Sequence, residues 1–461
     1  MTLRLLVTPI VLGAAALGLT AASFAGQQPQ PLQTQPLQTQ PAQTMPPPRM
    51  PVPANALLPD TQALFDGYVR AGKMPGIVGA FGLGNGPTLF VSAGRVADGA
   101  TAASAGPDSL WRVYSMTKPV TAFAAMLLIQ DGRLRLDQPL SDFFPGFKTM
   151  RVLTSPDTSL ASVPATRQIT IRNLLTHTAG LSYNIIAKGP LLKEYERLGI
   201  LPGAVSAATE GQARRARPRT LGEFATRVST LPLIAQPGTK WSYSIGLDVM
   251  GAVIERASGM PFDRFVQTRV FDPMRMRSSF WTVPQSEVGR FATNYAFAGD
   301  TRVPLDPAAT SVWLQPPSFP YGGAGLVMSA RDYDTFLRML QDGGTVDGVR
   351  VAQAATVATM MSNLLPAGVT FGGIGGTTGG TQAATPMGFG AGGSVYLADG
   401  PGGFPGKGTY GWGGAAGTIA FVDPKTRFRG TVMVNYFPAD RWPVRQELVA
   451  ALAKDAARFR R

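Results

Sequence analysis

Cysteine is absent from the 461 residues, and histidine occurs once, at His177. The first absence removes disulfides, thiolate metal sites, a cysteine nucleophile and a lipidated N-terminal cysteine. The second removes a zinc site built from several imidazoles. Acidic residues are also scarce, with 28 Asp and Glu against 42 Lys and Arg, for a formal charge of +14. Such an excess can serve nucleic acid or an anionic surface. Here the arginines are scattered, as at Arg214, Arg215, Arg217 and Arg219, and no nucleic-acid-binding motif accompanies them. They read as a solvated basic surface, with no nucleic-acid partner expected. A GxSxG elbow is missing too, so His177 lacks the usual setting of a Ser-His-Asp hydrolase. What remains is 44% apolar, ample for a large core in one long domain or two fused lobes.

The first 25 residues have a basic start at Arg4, an apolar run from Leu5 and a small-residue end, Ser23-Phe24-Ala25. This pattern predicts a Sec-type signal peptide cut near Ala25, hence a periplasmic or secreted protein; left uncut, the run would be an N-terminal membrane anchor. Residues 26–57 are rich in proline and glutamine with a short PLQTQ repeat, and they read as an extended tether. The folded part is expected over 58–461.

Two strand-like runs, GIVGAFGL (76 to 83) and PTLFVSAG (87 to 94), flank a Gly-Asn-Gly turn signal and predict an antiparallel hairpin. GTIAFVDP (417 to 424) and RGTVMVNYF (429 to 437) repeat the arrangement, and a closing helix follows with Val444, Leu448, Leu452 and Ala456 four apart. Between these ends the pattern is mostly helical. Thr220 and Glu223 predict a capping box for a helix that buries Leu221, Phe224 and Val228. The expectation is a mixed antiparallel sheet flanked by helices, with a sheet lobe at about 58–112 and 300–461 and an inserted helical lobe at about 113–299.

The stretch WRVYSMTKPVTAFAAMLLIQDG (111 to 132) carries the chemistry. Val120, Phe123, Ala124, Leu127 and Leu128 predict a helix with one buried face, and Ser115 stands at its start. There the hydroxyl meets the positive end of the helix dipole, and the Ser115 N–H is free to face a developing oxyanion. Three residues on, Lys118 projects from the same side, and an amine desolvated there would lose its proton more easily. Of the nine lysines, only Lys118 has a serine three positions before it. The residues alone leave two readings open: a nucleophile with its base, or an ordinary N-cap with a solvated lysine. Tyr243, in WSYSIGLD (241 to 248), follows a Gln-Pro-Gly turn and precedes a helix, from which its phenol can reach a cleft. YGWGGAAGT (410 to 418) enters a strand through glycines that let backbone approach a ligand. The run FGGIGGTTGGTQAATPMGFGAGG (371 to 393) lacks the ending of a phosphate loop and is expected as a mobile loop beside the cleft.

SMTK, YSI and WGG, in this order, resemble the three motifs of the class C β-lactamase-like serine hydrolases, and most closely the group VIII carboxylesterases. LLTHTAGL (174 to 181) and GGAGLVMSARDYDTFLRML (322 to 340) support the resemblance, which covers nearly everything after the tether. It implies an α/β (α+β) β-lactamase/transpeptidase-like fold and an acyl-enzyme mechanism without a cofactor or metal. Ser115 would be the nucleophile, Lys118 would ease its deprotonation, and Tyr243 would share the proton as general base and then acid. The N–H groups of Ser115 and Ala415 would form the oxyanion hole, and Trp412, Gly413, Gly414 and Tyr183 would line the substrate pocket, with Asn184 a further candidate. The histidine of HTAG would be structural.

The chain departs from the lactamases and peptidases at two places. Ile245 stands where their tyrosine motif ends in asparagine, and Trp412 stands where their third motif carries lysine, the usual carboxylate anchor. The expected substrate is therefore a small ester. The alternatives are a β-lactamase or D-amino-acid peptidase, and a non-catalytic protein of the same fold that holds cell-wall polymers.

Overall fold

The computed structural model describes residues 54–373 and 385–458; the expected signal peptide, nearly all of the tether and the middle of the glycine-rich run lie outside them. The centre is a seven-stranded sheet in the order Met387–Phe389, Ser394–Tyr396, Tyr410–Gly413, Ile419–Asp423, Phe428–Met433, Gly76–Leu83 and Leu89–Gly94. Every neighbouring pair is antiparallel. The expected first hairpin forms, with Val78 opposite Ser92, and the two ends of the chain meet where Val78 lies opposite Met433. Gly76–Leu83 is buried at every position but the last, because it is covered on both faces and therefore reads as a continuous apolar run. At the edge, Leu89–Gly94 buries only Val91 and Ala93, the alternation of a strand with one wet face.

Two helices from opposite ends of the chain, Pro59–Arg70 and Val444–Arg458, pack together over one face of the sheet. The sequence placed Ala456 on the buried stripe of the second helix, but Ala456 is exposed. Asp455 is buried instead, one position earlier, because it accepts from the Asp60 N–H, the Thr61 N–H and the Thr61 hydroxyl. A carboxylate thereby caps the start of Pro59–Arg70, where the helix dipole favours negative charge. On the other face of the sheet lies Ala330–Gln341, pinned by the buried Arg429 to Asp334 pair.

The main core continues from that face into the helical part of the chain. Thr117–Gln130 is buried from Thr117 through Leu128, so the helix expected to hide one face is enclosed all round. Gly246–Ser258 packs along it, and its polar residues Thr117, Lys118 and Thr121 are buried by bonding to Leu326, Gly323 and Gly322. The Thr220 hydroxyl accepts from the Glu223 N–H as expected, but Glu223 returns its carboxylate to the Arg219 N–H, so the box does not close on the cap residue. A complete capping box forms at Thr170 and Asn173, which opens the helix leading to His177. Among the described residues no helix is long and apolar enough to cross a membrane.

Candidate active site

The chain reaches Ser115 from a short three-stranded sheet in which Leu110–Arg112 pairs with Val327–Ser329, itself paired with Ser279–Phe280. Between strand and helix, Tyr114 takes a left-handed backbone with φ 42°, a conformation that costs a non-glycine residue on the order of 1–3 kcal/mol. Packing holds it there. Its ring stands edge-on to Trp313 and Phe437, with centroids 5.8 and 5.4 Å away, and its hydroxyl accepts from Asn294 Nδ2. The sharp turn sets Ser115 in a short helical turn just before Thr117–Gln130, with its side chain free of capping duty. The N-cap reading therefore fails.

The Ser115 Oγ accepts from the Tyr243 hydroxyl at 2.7 Å and from Lys118 Nζ at 3.4 Å. Lys118 is fully buried, which excludes the solvated-lysine reading as well. Its ammonium also donates to the Gly323 carbonyl at 2.8 Å and lies 4.5 Å from the Tyr243 ring centre and 5.4 Å from that of Tyr183. Tyr243 comes from the turn before Gly246–Ser258, a helix whose first residue is buried against Leu174. Two segments far apart in sequence thus meet at one hydroxyl, and a third, at Gly323, holds the amine.

His177 is brought near but not into contact with Ser115. Its Nδ1 pairs with the Ser244 hydroxyl at 2.9 Å, its Nε2 has no partner among the described residues, and its ring packs 4.9 Å from that of Tyr243. Burial first, and then the charge of Lys118, holds its pKa well below the usual histidine range. A neutral ring behind the tyrosine is a packing and orienting element.

Trp412 is only 3% exposed, packed against Tyr243, Phe389 and Phe371 with ring centres 5.8, 5.2 and 6.2 Å away. It backs the tyrosine and forms an aromatic wall with Trp241, which packs on Phe371 and Phe389. The sequence reading missed Trp241, Phe371 and Phe389, since an isolated aromatic carries no local mark of what it faces. Tyr183 is buried with its ring 5.5 Å from that of Tyr243, and burial pushes its phenol well above the usual range. Asn184 beside it is half-buried.

A turn follows Tyr410–Gly413. The Gly414 N–H bonds to the Thr418 carbonyl and the Gly417 N–H to the Gly414 carbonyl, while the Ala415 N–H has no acceptor among the described residues. A side chain on Gly414 would place its Cβ 2.4 Å from the Val113 carbonyl, so only glycine lets this turn lie against the backbone that leads into Ser115. Ala415 is exposed there, and its N–H is available to an incoming oxygen. Half-buried Arg445 brings its Nη2 to 3.7 Å from the point where Gly413 would carry a Cβ. Neither Arg445 nor the buried Asp248 was found from sequence; for Asp248 the signal was a lone charge inside the apolar run GLDVMGAVI.

A cavity of about 640 Å³ is lined by Ser155, Ser182, Ile185, Lys188, Lys240 and Ser242 among others, and none of Ser115, Lys118 and Tyr243 lines it. Among the described residues no three of His, Cys, Asp or Glu stand together as a metal site.

An antiparallel sheet with helices on both faces, and a serine at the head of an enclosed helix, define the β-lactamase/transpeptidase fold. The solved structure of EstCE1, a hydrolase with promiscuous acyltransferase activity, shares it with a TM-score of 0.68 and 24% identity, covering 87% of this chain and 99% of that one. A family model described as Beta-lactamase matches residues 61–454, and the chain belongs to that family. Esterase EstB of Burkholderia gladioli is 33% identical over 294 residues, 60% of this chain and 69% of EstB. An uncharacterized protein of Mycobacterium tuberculosis is 35% identical over 259 residues, 56% of this chain; the match spans 60% of that relative's length.

Proposed function

We propose that the protein is an exported serine carboxylesterase that hydrolyses short-chain esters through an acyl-Ser115 intermediate. The observation that carries this reading is the convergence of the Tyr243 hydroxyl and Lys118 Nζ on the Ser115 Oγ, with no histidine bonded to it. Both neighbours donate into the serine oxygen, so the pair must first lose a proton before it can accept the one from Ser115. Activity therefore rises with pH into the alkaline range. The serine oxygen then attacks the ester carbonyl and the oxyanion is received by the N–H groups of Ser115 and Ala415. The alcohol leaves with the proton held by the tyrosine and lysine pair. Water repeats the attack on the acyl group, giving up its proton to the same pair, which returns it to the Ser115 oxygen as the acid is released. The likeness to Esterase EstB supports the ester as substrate. Export rests on the first 25 residues, outside those described.

A β-lactam or a D-amino-acid peptide presents a carboxylate that needs a fixed cation, and Trp412 replaces the lysine of the third motif. Losing one charge-assisted hydrogen bond costs about 1.5 to 3 kcal/mol, or roughly one to two orders of magnitude in kcat/KM. A second reading, that carboxylate-bearing substrates are accepted, is favoured only by the guanidinium of Arg445 beside Gly413. The test compares kcat/KM for p-nitrophenyl butyrate and a chromogenic cephalosporin with one enzyme preparation at one pH. The butyrate should be the better substrate by about tenfold or more. A better cephalosporin, lost on Arg445→Ala, would replace the esterase reading with the second.

A further inference from the structure

The helix Gly246–Ser258 is apolar along its first two turns except at Asp248, which is fully buried. Its Oδ1 accepts from the Gly323 N–H at 2.8 Å, and its Oδ2 has no hydrogen-bond partner among the described residues. The carbonyl of the same glycine accepts from Lys118 Nζ at 2.8 Å, and the next carbonyl upstream, that of Gly322, accepts from the Thr121 hydroxyl at 2.7 Å. One short segment is thus gripped from one side by the helix that carries Lys118 and from the other by the helix that follows Tyr243. A Cβ on Gly323 would fall 2.5 Å from Asp248 Oδ2, so the carboxyl lies flat on the glycine and no other residue leaves room for it.

A half-satisfied carboxyl in an apolar interior is costly, even in the first turn of a helix, where negative charge is favoured. We propose that Asp248 is a positioning residue of the site, fixing through the Gly323 peptide the carbonyl that holds Lys118 Nζ beside Ser115. The inference rests on the reading of Ser115, Lys118 and Tyr243 as the reacting set. Burial pushes the Asp248 carboxyl up to about 7, with Lys118 and the Gly323 N–H pulling it the other way. Its charge therefore appears within the working range of an alkaline esterase, and it lies across the Gly323 peptide from Lys118 Nζ.

The groups that face this carboxyl are Lys118 from Thr117–Gln130 and the phenol of Tyr183, with Tyr243 and His177 just beyond them. The charges on the other helices packed against Gly246–Ser258 stand at the surface: Arg172 pairs with Asp137 and Arg227 with Glu223, while Asp263 and Arg264 are exposed.

Three variants separate geometry from charge. Asp248→Asn keeps an oxygen for the Gly323 N–H and removes the charge; Asp248→Ala removes both; Gly323→Ala displaces the carboxyl from the opposite side. The readouts are kcat and KM for p-nitrophenyl butyrate against pH, fluorophosphonate labelling of Ser115, and thermal unfolding. Asp248→Ala and Gly323→Ala should each lower kcat by about tenfold or more with KM changed by less than about threefold, the signature of a misplaced reacting group. Asp248→Asn should recover most of that loss, and its rise of kcat with pH should move about half a unit or more toward acid. If the alanine variants do not fold, the profile of Asp248→Asn still decides. A wild-type profile in Asp248→Asn, with kcat per folded molecule unchanged in Asp248→Ala and Gly323→Ala, overturns the inference while leaving the Ser115 assignment intact. Wild-type labelling at a serine other than Ser115 overturns both.

Discussion

Two sets of buried charge lie a few residues apart in this chain, and they are bonded to different degrees. Arg112, three residues before Ser115, is fully buried, and its guanidinium donates to the Asp306 carboxylate and carbonyl, the Ser311 hydroxyl, the Ala292 carbonyl and Asn435 Oδ1. Asp306 in turn accepts from Ser311 and the Val312 N–H. Every donor and acceptor is used, and the network ties the approach to the nucleophile to distant strands. Around Ser115 the accounting is left open. Among the described residues Lys118 has a carbonyl and a hydroxyl but no carboxylate within ion-pair distance, one oxygen of Asp248 is unpartnered, and so is His177 Nε2. Full satisfaction fixes a structure in one state, whereas groups that must gain and lose protons during a reaction are held in place without being neutralised.

The largest effect that tests this contrast is loss of the nucleophile. Ser115→Ala should remove fluorophosphonate labelling and lower turnover of p-nitrophenyl butyrate by about 10⁴-fold or more, at unchanged thermal stability. An adduct mapped by peptide mass spectrometry to another serine would move the site. Next, Tyr243→Phe keeps the ring stack with Trp412 and His177 but removes the donor to Ser115, so kcat should fall by about 10²- to 10⁴-fold with the fold intact. Retention of kcat would assign proton transfer to Lys118 alone.

The bonded network should respond in the other currency. Arg112→Ala leaves Asp306 as an uncompensated buried charge and should cost about 3 to 5 kcal/mol in denaturant unfolding, with kcat per folded molecule changed far less than in Tyr243→Phe. A loss of activity without a loss of stability would show that the two sets are not distinct. The smallest effect concerns pH and stability. His177 titrates well below 6.5 in the folded chain, so the folded state binds fewer protons than the unfolded one as pH drops below 6.5, and stability is lost in that direction. His177→Gln should flatten the acid side of the stability profile and leave the alkaline rise of kcat in place. Disappearance of that rise in a folded His177→Gln protein would make the histidine the base.

The parts legible in the sequence were those set by local rules. The hairpin of Gly76–Leu83 and Leu89–Gly94 follows from a two-residue period and a turn, and the spacing of Ser115 and Lys118 follows from one helical turn. Chain order alone gave SMTK, YSI and WGG, enough to name the family that the match over residues 61–454 establishes. The burial of Thr117–Gln130 on every side was not legible, because its polar residues at Thr117, Lys118 and Thr121 bond to segments about 200 residues away, at Leu326, Gly323 and Gly322. For the same reason neither Asp248 nor Arg445 could be placed at the site from the sequence. Sequence by itself determined which residues could react, since that depends on side-chain chemistry and near neighbours. Tertiary structure decided which of them meet and how they are held, since the distances from Ser115 to Tyr243 and from Asp248 to Gly323 are set by how helices and sheet pack across the whole chain.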